Sequence, residues 1–448
     1  MNVFSNRIWI FVSLLLGISF ILHFWRIDIP NTPAFDEIHF ATYAADYVKK
    51  ITFFDIHPPL GKFIYATPLF FVDANALIDS EYAKQEKKSD DLSIITTTSF
   101  FKPFNHFPYQ ALRTIGALFG LLLVYSIFFF LKSLTRNNIT ALLGMCFIVF
   151  ESALLMETRL ILLNGMFLAF GFLALGFLYK EKPNLTLTGI FWGLALSIKL
   201  ISIVFLGPIL FFFFSRRLLF PKTSFVRLCI ISFSILFFLW VVISAIFLPV
   251  ESRLAFYASF FEIPHFIIKI NHIVDISFPT LFASQIKAFF IESYVAIRGY
   301  TVGKFHPAQS PWYLWPYMIM PFNYSPITKV NMVLLGNPFV WMLGTLSVVF
   351  SLCVLALTRL RGWITQNNAK SVLLVGYFSS LLPYALLHRS TFLYHYFPAL
   401  IFSICLASVY IQEHLETLSE KRKKRVLALI IGGTLLGFAF AAPFIYAF

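Results

Sequence analysis

Charged side chains are what this sequence has least of. They make up 12% of its 448 residues, about half the roughly 25% of a soluble domain. Acids are scarcer than bases, 21 against 35, which leaves a net charge of +14. An excess of that size would suit nucleic acid, but no basic domain with interleaved stacking aromatics is present. The basic residues sit instead in short loops between apolar runs. Cysteine is sparse too. Cys146, Cys229, Cys353 and Cys405 all fall inside apolar runs, which excludes a disulfide framework and a Cys-x-x-Cys metal site. The first apolar run, 8–25, has no small-x-small cleavage site and ends in Phe24-Trp25-Arg26. That pattern anchors a helix at the membrane interface, so the run reads as a retained span rather than a signal peptide. No internal repeat and no low-complexity tract occur.

What is present is apolar. Hydrophobic residues make up 59%, including 57 Phe, and the mean hydropathy is +0.79. The solvent for such a chain is lipid. A spanning helix needs roughly 17–25 mainly apolar residues. Runs near 8–25, 109–131, 138–155, 160–179, 185–199, 200–215, 225–248, 333–357, 371–387, 392–411 and 426–446 predict eleven spans. Ten is the alternative, because 185–215 is long for one helix and short for two, with Lys199 and Gly207-Pro208 as break points. The expected fold is an all-α integral membrane protein, a single transmembrane domain over 1–448. The short loops carrying Arg216, Arg217, Lys222, Arg227, Arg359, Arg361 and the run Lys421-Arg422-Lys423-Lys424-Arg425 belong on the cytoplasmic side by the positive-inside rule. The N-terminus is then cytoplasmic and the C-terminus extracytoplasmic. Two long loops, 26–109 and 249–331, fall outside with most of the acids, so any chemistry is expected there. Within the first, the apolar patch 63–72 is too short to span and reads as an amphipathic helix on the membrane surface.

Acids gathered beside a bilayer are costly unless they work. Ala34-Phe35-Asp36-Glu37-Ile38-His39-Phe40 and Phe53-Phe54-Asp55-Ile56-His57-Pro58-Pro59-Leu60-Gly61-Lys62 place three carboxylates and two imidazoles in the first loop. Neighbouring carboxylates repel, and partial burial raises the pKa of at least one, which prepares a general base for a hydroxyl. The bland reading is a helix N-terminus, where acids favour the dipole. The double proline fixes a turn that aims Asp55 and His57, and a protonated His57 with Lys62 would suit an anion. Arg113 at the mouth of the second span and Arg389 in the outer turn before Tyr394 and His395 suit a phosphate, since guanidinium forks match its oxygens; Arg113 can also simply snorkel to headgroups. Glu157 and Arg159 occupy another outer turn and can pair or support the site. Glu151 lies inside a span, where its charge demands a partner or a proton. His306-Pro307 and Trp312 mark the second loop. Asp36, Glu37, Asp55, His57 and His306 fit no closed zinc spacing, so a divalent cation stays an open alternative and no cofactor is required.

Together these motifs resemble the protein O-mannosyltransferase family, the dolichyl- or polyprenyl-phosphate-mannose–protein mannosyltransferases. The resemblance covers essentially the whole chain through Asp36-Glu37-x-His39-Phe40, Phe54-Asp55-x-His57-Pro58-Pro59-Leu60-Gly61-Lys62, Arg113, Arg159-Leu160-Ile161-Leu162-Leu163, Gly193–Lys199, His306-Pro307 with Trp312 and Trp315-Pro316, Gly336-Asn337-Pro338, and Arg389 with Tyr394-His395-Tyr396. It implies a GT-C fold of about eleven spans with catalytic outer loops. It implies inverting transfer of mannose from a polyprenyl phosphate to Ser or Thr hydroxyls of secreted or membrane proteins, in partnership with membrane lipids and the secretion machinery. Asp36 would be the general base and Glu37 its partner in acceptor positioning. Asp55 and His57 would shape the site, and Arg113 and Arg389 would face the donor phosphate. The second loop has only about 80 residues, without the β-trefoil MIR domain of eukaryotic members, so the chain resembles the bacterial branch, in a plasma membrane. Asn164 stands where many members carry Asp. The competing reading is a GT-C enzyme that moves a polyprenyl-linked sugar onto a lipid or glycan, like the aminoarabinose transferases, though these prefer Lys before the Pro-Pro pair. A non-catalytic transporter would instead place broken, charged helices at midplane with internal symmetry.

Overall fold

A computed structural model describes residues 2–53, 55–73, 77, 103–104, 106–248, 288–291, 294, 306, 308–324, 332–357 and 369–446. The charged segment 79–91, Pro307, Pro326, Arg359 and Arg361 lie outside the described residues. The architecture is helical. From the N-terminus run α1 (Asn2–Phe24), α2 (Glu37–Lys49), α3 (Leu60–Ala66), α4 (Tyr109–Thr135), α5 (Asn138–Val149), α6 (Ser152–Arg159), α7 (Asn164–Leu178), α8 (Leu185–Ile198), α9 (Leu206–Ser215) and α10 (Lys222–Phe247). After the second loop come α11 (Pro338–Leu357), α12 (Ala369–Leu381), α13 (Phe397–Glu416) and α14 (Glu420–Tyr446). The strands β1 (Phe322–Asn323) and β2 (Val333–Leu334) form a short antiparallel pair with Phe322 opposite Leu334.

The boundaries follow from polar residues between apolar runs. Arg136 turns left-handed (φ 60) and closes α4, and Asn137 then caps α5 by accepting from the Ile139 and Thr140 amides. Asn184 caps α8 in the same way through the Leu187 amide. A side-chain oxygen at that position satisfies helix N–H groups that have no partner within the helix.

Six of the described helices are long and apolar enough to cross a bilayer: Tyr109–Thr135, Lys222–Phe247, Pro338–Leu357, Ala369–Leu386, Leu393–Glu416 and Glu420–Tyr446. The 27 residues of α4 reach about 40 Å at 1.5 Å per residue, enough for a hydrocarbon core of about 30 Å. The run expected as one span over 138–155 is instead broken, with α5 and α6 meeting at 62°. The break falls at Glu151. Glu151 leaves the helix (ψ 109) and caps α6 through the Leu154 amide. Its other oxygen accepts from the Asn337 amide at 2.9 Å, so this intramembrane acid has a defined partner across the molecule.

The core is the layer α4–α7–α8–α10, joined on its other side to α13, which packs against α11 and α12. Backbones approach closely where glycine allows. A Cβ on Gly116 of α4 would lie 2.7 Å from the Leu160 carbonyl, and one on Gly193 of α8 would lie 2.7 Å from that of Ser232. The first close approach presses α4 onto the turn after α6. The apolar patch of the first loop folds as α3 and a 3-10 turn over Thr67–Phe71, packed against α8 and α10.

Candidate active site

Phe35 begins the site. Its φ is +50, a left-handed conformation that a bulky residue adopts only when its surroundings hold it there. The surroundings are the second loop: the Phe35 amide donates to the Tyr324 carbonyl at 2.9 Å and its ring stacks on Tyr324 at 4.7 Å. Just past this turn the two adjacent acids part. Asp36 stands at the start of α2 but makes no capping bond, and its half-buried carboxylate lines a small cavity of about 100 Å³. No described residue donates a hydrogen bond to it. Glu37 turns the other way and is completely buried.

Glu37 meets Arg113. Arg113 Nε donates to Oε1 at 2.9 Å and Nη2 to Oε2 at 2.7 Å. The Ile161 and Ala34 amides each add a bond of 2.9 Å. Arg113 also donates from Nη1 to the Ile27 and Pro30 carbonyls at 3.1 and 2.7 Å. Arg113, expected to face a donor phosphate, is therefore committed inside the protein. It holds the first loop on α4 and on the Leu160–Ile161 turn that Gly116 admits. Glu37 lines no part of the cavity.

The Pro58-Pro59 turn does aim its neighbours. Lys62 Nζ donates to Asp55 Oδ2 and to the His57 carbonyl, both at 2.6 Å. Asp55 and Lys62 thus lock the turn, and of these residues only His57 lines the cavity. Burial, reinforced by the positive charges of Lys199, Lys62 and Arg389, drives the His57 imidazole well below its ordinary pKa, so it stays neutral rather than cationic.

The cavity is also lined by Lys199, Asn164, Tyr384, Arg389, Tyr394 and His395. Lys199 sits at the break after α8 (φ −144, ψ 128), where a cation also favours the helix C-terminus. Its ammonium donates to Asn164 Oδ1 at 2.7 Å and lies 5.7 Å from the Tyr394 ring. Asn164 in turn donates from Nδ2 to Glu157 at 2.5 Å, and Tyr324 donates to the other Glu157 oxygen at 2.5 Å. Burial and the Glu157 carboxylate push the Tyr324 hydroxyl well above the usual phenol range, so it remains a donor. Asp36 is itself raised above the usual carboxylate range, chiefly by burial and further by Asp55; His39, Lys199 and His306 oppose the shift.

The remaining expected residues lie outside the cavity. Arg159 donates to the Leu22 and His23 carbonyls at 2.7 and 2.8 Å and to that of Arg26 at 3.1 Å, closing the end of α1 beneath the Tyr446 ring. His306 is exposed at the rim, 5.2 Å from the Phe392 ring. Trp312 opens a 3-10 turn and packs on Tyr313, and the buried indole of that turn is Trp315. Lys199, Asn164 and Tyr384 enter the site without having been singled out for it. Lysine inside an apolar run next to a predicted break was the available signal for Lys199. Among the described residues, no three His, Cys, Asp or Glu side chains group closely enough to hold a metal ion.

These helices define a GT-C-like membrane fold. The chain superposes on the Saccharomyces cerevisiae protein O-mannosyltransferase Pmt1-Pmt2 complex bound to the sugar donor, with TM-score 0.74 at 15% identity, covering 98% of this chain and 90% of that one. The Archaeoglobus fulgidus oligosaccharyltransferase shares the fold at TM-score 0.56 and 12% identity, over 98% of this chain and 56% of that one. The family model described as dolichyl-phosphate-mannose-protein mannosyltransferase matches residues 13–263, and that for the C-terminal four-transmembrane region of protein-O-mannosyltransferase matches 281–448. The chain belongs to the protein O-mannosyltransferase family. Its curated relatives include dolichyl-phosphate-mannose–protein mannosyltransferase 4 of Saccharomyces cerevisiae, 30% identical over 161 residues, which are 36% of this chain and 19% of the yeast protein. Mannosyltransferase 5 of Candida albicans is 32% identical over 187 residues, 38% of this chain and 23% of that protein. The matched stretches thus span about a fifth of the relatives' length.

Proposed function

We propose that this protein is an inverting glycosyltransferase that moves mannose from a polyprenyl-phosphate-mannose donor to Ser or Thr hydroxyls of secreted or membrane proteins at the extracytoplasmic face. The observation that carries the reading is the cavity, which brings together Lys199, Arg389 and a carboxylate to which no described residue donates a hydrogen bond. Asp36 accepts the proton of the acceptor hydroxyl as its oxygen bonds to the anomeric carbon. The bond from that carbon to the phosphate oxygen breaks on the opposite face, and the electron pair leaves with the polyprenyl phosphate. Lys199 and Arg389 are placed to stabilise the charge that develops there, an electrostatic task suited to preorganised cations. Glu37 and Arg113 act by fixing the Asp36 turn, and neutral His57, Tyr394 and His395 shape the sugar subsite.

A second groove supports the lipid part of the donor. Phe211, Leu374, Phe378, Leu382, Pro383 and Leu386 line an apolar trough of about 600 Å³ along α12. Pro383 of this trough directly precedes Tyr384, which lines the cavity. An isoprenoid chain fits such a surface. Eleven crossings follow if the bent pair α5–α6 is one span and the apolar but shorter helices Ile8–Phe24, Asn164–Leu178, Leu185–Ile198 and Leu200–Ser215 also cross.

The test uses membranes containing the protein, polyprenyl-phosphate carrying tritiated mannose, and a Ser/Thr-rich peptide. Label in the peptide, lost in Asp36→Asn, is the expected result. Label in lipid or glycan but not peptide would move the enzyme to the other acceptor class, and no transfer at all would sink the reading.

A further inference from the structure

The ends of α4, α7 and α9 bring together cations that the cavity does not use. Arg136, left-handed where α4 closes (φ 60), donates from Nη2 to the Tyr179 carbonyl at 2.9 Å. The Tyr179 ring meets Phe212 edge-on at 5.5 Å, and the Arg216 guanidinium lies 4.8 Å from that Phe212 ring. One aromatic pair thus seats two arginines from different helices. Lys132 joins them, donating to the Arg136 carbonyl at 3.3 Å and to Asn138 Oδ1, and Lys180 lies 5.9 Å from the Phe177 ring.

Charges of one sign held this close repel. Burial lowers the pKa of Arg136, Glu181 opposes that shift and Arg216 adds to it, so the two arginines and the acid act on one another. Glu181 is one acid beside four cations, and among the described residues it forms no ion pair with any of them. The cluster therefore stays positive with Glu181 counted. Arg136 uses one of its five N–H donors inside the protein. Beside the cations stand exposed apolar side chains, Ile139, Phe214 and Leu218, the last 95% exposed. Basic residues between helix ends with an apolar rim match a lipid headgroup above its acyl chains better than a soluble anion.

We propose that Arg136 and Arg216, with Lys132 beside them, form a binding site for the phosphodiester headgroup of an anionic phospholipid. Its acyl chains lie against Ile139, Phe214 and Leu218. None of these residues lines the cavity at Asp36, and the test needs no transfer of mannose. Retention of positive loops on one side of a membrane needs charge alone. A lipid site needs these two guanidinia in this place, and that difference is measurable.

The experiment titrates phosphatidylglycerol, phosphatidylcholine and water-soluble glycerol 3-phosphate onto the full chain in neutral detergent. Bound ligand is read by native mass spectrometry, with the melting temperature of each sample. Wild type should prefer phosphatidylglycerol to phosphatidylcholine. A cation beside an anionic lipid contributes about fivefold, so Arg136→Gln together with Arg216→Gln should remove about 25-fold of that preference. Lys421→Gln together with Arg422→Gln removes the same charge at the start of α14 and should keep the preference. Equal affinity of wild type for both lipids overturns the proposal. Equal losses in the two double variants do the same, because charge alone would then be sufficient. Glycerol 3-phosphate that binds as tightly as phosphatidylglycerol also overturns it, since the site would then hold a free anion. Arg216 makes no side-chain hydrogen bond among the described residues, so Arg216→Gln alone decides the matter even if Arg136→Gln does not fold. A loss of about fivefold supports the site, and an unchanged preference overturns it.

Discussion

At the scale of single residues, the two neighbouring acids of the first loop carry different tasks, and their variants should fail differently. Asp36→Asn keeps the shape of the turn and removes the base. Transfer should fall by about a hundred- to ten-thousand-fold, the usual worth of general base catalysis, with the melting temperature unchanged. Transfer within a few-fold of wild type would remove Asp36 from the mechanism. The base must be ionised to act, and its folded pKa is raised by burial. Transfer should therefore decline as pH falls through that raised value, with the acidic limb above the roughly pH 4 of an ordinary aspartate. A rate profile flat down to pH 4 would contradict the assignment. Glu37 and Arg113, in contrast, form a buried pair with four donors on the carboxylate. Removing one partner leaves an uncompensated charge and costs about 3–5 kcal/mol. Arg113→Met should thus appear as a large drop in thermal stability, and a variant as stable as wild type with weakened donor binding would restore the phosphate role to Arg113.

At the scale of elements, the joint between α6 and the start of α11 joins the portions matched by the two family models. Asn337 Nδ2 donates to the Phe150 and Thr434 carbonyls at 2.9 and 2.8 Å, its amide donates to Glu151, and its Oδ1 accepts from the Phe339 and Val340 amides at 3.1 and 3.3 Å. One residue therefore ties the α5–α6 break, α11 and α14. Asn337→Ala should destabilise by about 1–3 kcal/mol for the buried groups it orphans, read as a lower melting temperature without a change in donor KM. A raised KM at unchanged stability would mean that the joint shapes the cavity directly. Apolar runs and the Lys199 break were legible as patterns local to the chain, and they locate most helices. The α5–α6 kink was not, because its cause is an amide 186 residues away from Glu151. The divergence of Asp36 from Glu37 was hidden for the same reason. It depends on a left-handed Phe35 held by Tyr324 and on an arginine 76 residues away. Motifs can be read along the chain; which acid of a pair faces the cavity depends on tertiary partners.

At the scale of the whole molecule, the reading requires that the cavity open to the outer face. The charges argue for that sidedness. The run Lys421-Arg422-Lys423-Lys424-Arg425 begins α14, and cationic clusters beside a span are retained in the cytoplasm, where anionic lipid attracts them. His306, Arg389 and the Asp36 turn gather at the opposite end, around the Phe35–Tyr324 and Phe392–Tyr394 ring stacks. Ala308 is exposed beside His306, so a cysteine there reports the side without touching the cavity. The native cysteines lie in apolar helices, and a membrane-impermeant maleimide should leave them unlabelled. In intact cells Ala308→Cys should react with that reagent, whereas Lys421→Cys should react only after the membrane is permeabilised. The reverse pattern would place the base and its cations in the cytoplasm, where a secreted polypeptide emerging on the far side could not reach Asp36, and extracytoplasmic transfer would have to be abandoned even if the enzyme proved to be a mannosyltransferase.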